Sequence, residues 1–177
     1  MSESLYLEDL EPGSSWTSPA RTLTETDIVS FAGMTGDYDP LHVDHEFAAA
    51  TPYGKPIAHG LLGLSLMAGL SSTCPRVRTL AFVRIDGWEF HRPVYVGDTV
   101  HAVTMVESIT PRGRRSGEVV WVRKLVNQRG ECVQSGKIVT LVSSHAFLPR
   151  SRPVTAGMKL TEYQANSVKA DAVSREG

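Results

Sequence analysis

Gly60-Leu61-Leu62-Gly63-Leu64-Ser65-Leu66-Met67-Ala68-Gly69-Leu70 carries no charge, and its side chains are apolar or small nearly all round. A segment with no polar face predicts a helix buried in the centre of a domain. It is too short to span a bilayer, which takes roughly 18 or more apolar residues. After Pro75 the period changes. Stretches 79–87, 88–94, 99–109, 118–127 and 132–143 are rich in Val, Ile, Thr and aromatics with partial alternation, and each reads as a strand. Short turns separate them, at Tyr95–Asp98, Pro111–Gly117 and Asn127–Gly130. Such connections predict antiparallel pairing between neighbours in sequence. A helical block followed by strands gives an α+β class, in which a sheet wraps one buried helix.

Upstream of that helix the chain is mixed. Residues 5–15 end in the turn Glu11-Pro12-Gly13, and 16–23 read as a short strand. Thr24-Glu25-Thr26-Asp27 has the form of a capping box opening a helix over 25–32, with Gly33 as its stop. Asp44 is placed to cap a small helix over 45–50, and 51–56 form a loop.

The chain has 177 residues, 41% hydrophobic and 21% charged, which suits one soluble domain, drawn here over 1–145 with a C-terminal tail over 146–177 that lacks periodicity. A net charge of −1 gives no field to recruit nucleic acid or an anionic membrane. Two cysteines, Cys74 and Cys132, form neither a disulfide framework nor a zinc pattern and point to a reducing compartment. The acidic start lacks the form of a signal peptide, so a cytoplasmic location is expected.

The chemistry is concentrated in Gly36-Asp37-Tyr38-Asp39-Pro40-Leu41-His42. A carboxylate and an imidazole five positions apart, on a segment that Pro40 keeps from being regular, can both reach one small molecule. The spacing alone suits equally an aspartate that caps a turn and a histidine paired to it for structure. Ala58-His59-Gly60 then opens the apolar helix, whose first N–H groups lack internal partners and favour negative charge.

Three segments in order resemble the MaoC-like dehydratases, the (R)-specific enoyl-CoA hydratases of the hotdog fold. They are Gly36–Asp44, Pro56–Leu61 and Phe90–Asp98. With the strands, the likeness covers about residues 6–143. The resemblance implies a hotdog subunit, usually dimeric, acting on a coenzyme A thioester, with coenzyme A part of the substrate and neither prosthetic group nor metal. By motif position it places Asp37 and His42 on the family's catalytic pair and Gly60 where a backbone N–H supports the thioester oxygen. It implies reversible addition of water across an enoyl-CoA to give a 3-hydroxyacyl-CoA. A hotdog acyl-CoA thioesterase and a non-catalytic hotdog subunit are the alternatives.

One departure stands out. Asp39 occupies a position where the family usually has Asn, and it is expected to turn away from Asp37, toward backbone donors or a basic partner. His59 is expected to flank the site or cap the helix. Ser65 reads as a satisfied core serine, since Gly63-Leu64-Ser65-Leu66-Met67 lacks the second glycine of a nucleophile turn. Arg112, Arg114, Arg115, Arg123 and Lys124 read as a solvated basic stretch that could alternatively meet coenzyme A phosphates. Trp88, Phe90 and Trp121 are expected in the core or a dimer interface.

Overall fold

The computed structural model describes residues 4–147. Thr24 caps helix α1, Glu25–Thr35, through the expected reciprocal box: Asp27 N–H donates to the Thr24 hydroxyl and Thr24 N–H to the Asp27 carboxylate. Burial opposes the charge of Asp27, yet the Thr24 hydroxyl and N–H and the Arg21 guanidinium outweigh it and hold its carboxyl below the usual range. The helix does not stop at Gly33. It runs to Gly36, whose φ of 79° closes it in the left-handed conformation.

Pro40 does not keep the next segment irregular. It starts a single turn, α2 (Pro40–Val43), because a proline at the first helical position gives up only an N–H that would have no partner there. Asp44 then caps α3, His45–Ala49, by accepting from Phe47 N–H.

The central helix, α4, covers Gly60–Ser71. Leu62, Leu66 and Met67 are buried against Leu23, Ile28, Phe31, Leu125 and Ile138. Burial is not complete all round, since Leu61, Ser65 and Gly69 form an outward stripe one turn apart, with Leu61 60% exposed.

Six strands make one sheet. The single strand expected over 16–23 is two pieces, β1 (Ser15–Thr17) and β2 (Arg21–Thr22), both antiparallel to β4, Thr99–Arg112. Between them Pro19 offers no N–H, and Ser18 bonds Ala102 both ways, its N–H donating to Ala102 O and its hydroxyl accepting from Ala102 N–H, each at 2.9 Å. The strands expected over 79–87 and 88–94 are one, β3 (Thr79–Phe90), with a register shift around Gly87 at φ 56°. β4, β5 (Ser116–Asn127) and β6 (Cys132–Ser143) form a true meander. β3 does not pair with β4, its neighbour in sequence. It pairs with β6 at the far edge, and residues 91–98 cross between them. A second apolar cluster, Leu10, Val106, Val119, Trp121 and Val142, is separate from the one around α4.

Among the described residues no helix is long and apolar enough to cross a membrane. The tail expected over 146–177 lies, from residue 148, outside the described residues. Ala146 and Phe147 belong to a closing turn, His145–Phe147.

Candidate active site

The end of α1, the turn α2 and the start of α4 meet in one place. One carboxylate oxygen of Asp37 and one ring nitrogen each of His42 and His59 lie within 4.8 Å of one another. Asp37 is exposed, His42 half-buried and His59 buried. Each imidazole is oriented by a backbone carbonyl. His42 Nδ1 is 2.7 Å from Ile57 O, so in the neutral ring Nδ1 carries the proton and Nε2 keeps a lone pair. His59 Nε2 donates to Asp37 O at 2.9 Å, and its Nδ1 is fully buried without a partner. The His59 ring is held between Phe31, at 5.2 Å, and His42, at 3.8 Å. His59 therefore clamps the backbone of Asp37 and backs the ring of His42. Three such donors could meet a divalent cation: each ring holds one nitrogen against a carbonyl, which leaves His42 Nε2 and the enclosed His59 Nδ1 as the free nitrogens beside the Asp37 carboxylate.

Gly60 is exposed at the first position of α4, where helix geometry leaves its N–H without an internal partner. Phe90 covers it: a Cβ built on Gly60 would lie 2.9 Å from Phe90 Cε1. Gln134, 3% exposed, donates from Nε2 to Gly60 O at 3.0 Å and accepts from Trp88 Nε1 at 3.3 Å. Gly63 makes room for that amide, since a Cβ there would fall 2.1 Å from Gln134 Nε2. A cavity of about 260 Å³ opens onto His42, His59, Gly60, Phe90, Arg92 and Gln134. The larger groove, about 510 Å³, lies between α1 and α4 and touches none of Asp37, His42, His59 or Gly60.

Residues 10–128 match the family model described as the MaoC like domain. The chain belongs to that family. It is 33% identical over 144 residues to an (R)-specific enoyl-CoA hydratase of Rhodospirillum rubrum, covering 81% of this chain and 92% of that one. A structure from Archaeoglobus fulgidus, described as a monoamine oxidase regulatory protein, shares 37% identity with a TM-score of 0.74, covering 80% of this chain and 95% of the other. A Mycobacterium tuberculosis protein described as having a double hotdog fold matches at 23% identity with a TM-score of 0.72, over 85% of this chain and 46% of its own. The helix-wrapping sheet is thus the hotdog fold expected.

Within this MaoC-like domain the three residues read from the sequence, Asp37, His42 and Gly60, come to one locality. Asp39 turns as expected, its Oδ1 accepting from Leu41 N–H at 2.9 Å to cap α2. Because an amide oxygen can accept the same bond, Asp39→Asn is expected to leave the pH–rate profile unchanged. An acid shift in that profile would show that the Asp39 charge reaches Asp37.

Three readings are corrected. Phe90 is not in the core; it is 55% exposed on the edge strand and also walls the site. Ser65 is satisfied, donating to Leu61 O, but lies on the exposed stripe rather than in the core. Arg123 is not solvated, at 8% exposure, whereas Arg112 is exposed and pairs with Glu118 at 2.9 Å. Sequence reasoning missed Gln134 and the clamping role of His59. A polar residue among the apolar positions of β6 was the available signal for the first, and a histidine directly before the helix glycine for the second.

Proposed function

We propose that the chain adds water reversibly across the α,β double bond of an enoyl-CoA thioester, giving a 3-hydroxyacyl-CoA. The observation that carries this is the meeting of Asp37 and His42, with a lone pair on His42 Nε2, beside the bare N-terminus of α4. A water between them gives one hydrogen to the carboxylate and one to Nε2. As its oxygen bonds to Cβ, the π electrons move toward Cα and the thioester oxygen. The Gly60 N–H meets that growing charge. The proton taken from water passes through the pair to Cα, so one water is consumed and no group is left altered. Coenzyme A enters as part of the substrate, and this scheme calls for no prosthetic group or metal. The relative in R. rubrum, an (R)-specific enoyl-CoA hydratase, supports the reading.

Loss of the conjugated-thioester absorbance on adding enzyme to enoyl-CoA substrates of graded length tests it. Release of free thiol from saturated acyl-CoA, with the conjugated absorbance untouched, would replace it with a thioesterase.

A second copy completes the sheet in this reading. β3 is a twelve-residue edge strand with Leu80, Phe82, Val83, Ile85 and Phe90 each 43–59% exposed. Such an edge left bare invites aggregation, and pairing with a twin covers it. Light scattering should give twice the 19.3 kDa of one chain, and Val83→Lys should shift it toward single chains. A monomer for the unaltered protein at micromolar concentration would remove the dimer. A cytoplasmic setting fits the two free thiols, Cys74 and Cys132.

A further inference from the structure

Arg123 is a buried cation that the hydration scheme does not use. It stands on β5 two positions from Trp121 and two from Leu125, both enclosed beneath the inner face of the sheet, so the guanidinium faces α4. Among the described residues no hydrogen bond and no carboxylate meets it, and its Nε is fully buried without a partner. The Trp121 ring lies 5.7 Å from Cζ. Burial alone pushes its pKa down to about 10, so at neutral pH it remains a cation. A guanidinium with its Nε enclosed and unpaired is a costly thing to keep unless something arrives to meet it.

The guanidinium borders a cavity of about 160 Å³. Ala68, Phe82 and Trp121 give it apolar walls, and Ser71, Ser72, Thr79 and Thr140 line it as well. The Thr140 hydroxyl accepts from Trp121 Nε1 at 2.9 Å, which leaves its own proton to donate. The Ser71 and Ser72 hydroxyls already donate to Met67 O and Gly69 O, which leaves those of Thr79 and Thr140 beside the cation. One cation, two hydroxyls and apolar walls suit a carboxylate carried on a hydrocarbon chain.

Where the cavity sits gives the chain its other end. The active-site cavity is lined by Gly60 of α4, Gln134 of β6 and Phe90 of β3. The Arg123 cavity is lined by Ala68 of α4, Thr140 of β6 and Phe82 of β3. Phe90 pairs with Gln134 and Phe82 with Thr140 across the same ladder. Both cavities therefore lie on the side of α4 that faces the β6–β3 edge. Counting helix and strand rises, they are on the order of 12–26 Å apart.

We propose that an acyl thioester lies along this side of α4, from the active-site cavity to a carboxylate seated at Arg123, making ω-carboxy enoyl-CoA thioesters the preferred substrate class. The proposal rests on the hydratase reading for the thioester end. The larger α1–α4 groove is the competing path for an uncharged chain. Its own cation, Arg21, already pairs with Asp27.

The test compares matched enoyl-CoA thioesters, ω-carboxy against ω-methyl, over a range of lengths with the unaltered enzyme. Short pairs should show no preference. Once the chain reaches the cavity, kcat/KM for the carboxylate should exceed that for the methyl by at least about tenfold, the scale of one charge-assisted pair. Arg123→Met should bring the two values together, and Arg123→Lys should keep part of the gap. Calorimetric binding of the saturated pairs, which cannot be hydrated, gives a second readout with the same expected preference. Equal turnover and equal binding of both ends at every length, with the unaltered protein, would overturn the subsite and leave the hydratase reading standing. A carboxylate preference in binding with no hydration of any enoyl-CoA would keep the subsite and sink the hydratase reading.

Discussion

Asp37→Asn should lower kcat on an enoyl-CoA by about 10²–10⁴, the usual worth of one positioned proton-transfer group, with little change in KM. The variant keeps the shape of the side chain and removes its capacity to take a proton. It should also fold normally. Asp37 is exposed, and among the described residues its carboxylate accepts only a 3.4 Å contact from Asp39 N–H, so the stability change should stay within about 0.5 kcal/mol. His42→Ala should lose activity on the same scale but is structurally less clean. It removes the 2.7 Å bond to Ile57 O and the ring that backs His59, at a cost of about 1 kcal/mol. The decisive result is the double variant. If the two groups hold one water, removing both should cost hardly more than removing either, because groups acting as a unit are not additive. Two independent losses that multiply would mean that Asp37 and His42 serve different molecules. Full activity in Asp37→Asn, measured at the same thermal midpoint as the unaltered protein, would remove the carboxylate from the chemistry.

What the sequence disclosed and what it hid divide along the range of the interactions concerned. The Thr24–Asp27 box and the Asp44 cap involve residues three apart, so their signatures are complete within one turn. Asp37 and His42 are five apart and converge through two local devices, the left-handed Gly36 and the Asp39–Pro40 start of α2. The errors have the opposite character. Gly87 looks like a boundary because its φ of 56° is one that glycine favours, yet β3 carries on through it with a register shift. The pairing of β3 with β6 rather than β4 is a matter of topology, which short turns elsewhere in the meander misrepresent. Gln134 reaches Gly60 across 74 positions, and no local pattern announces that. Arg123 follows a basic turn and shares its composition, but strand alternation puts it on the inner face with Trp121 and Leu125. The exposed stripe of α4 shows the same limit from the other side. An all-apolar helix predicts enclosure, but which side a single subunit leaves open depends on what the sheet reaches.

Gly60→Ala should bring a loss approaching the 10²–10³-fold or so that removal of one oxyanion donor costs, and the reason for the loss can be isolated. Alanine keeps the N–H and suits a helix better than glycine, by about 0.8–1.0 kcal/mol in an interior position. Helix formation therefore cannot explain a fall in activity. Two explanations remain. The added methyl lies 2.9 Å from Phe90 Cε1 and 3.1 Å from Cδ1, so it either displaces that ring or occupies the space through which the thioester oxygen approaches the peptide nitrogen. Phe90 is 55% exposed and can give way, so the clash should cost little stability. Combining Gly60→Ala with Phe90→Ala separates the two explanations. If the glycine exists to seat the ring, trimming the ring restores turnover relative to Phe90→Ala alone. If it exists to open the helix terminus to substrate, the defect persists in the double variant, because the methyl still stands over the N–H. We expect persistence. Recovery in the double variant would make Gly60 a packing residue and leave the growing negative charge of the thioester without its proposed partner.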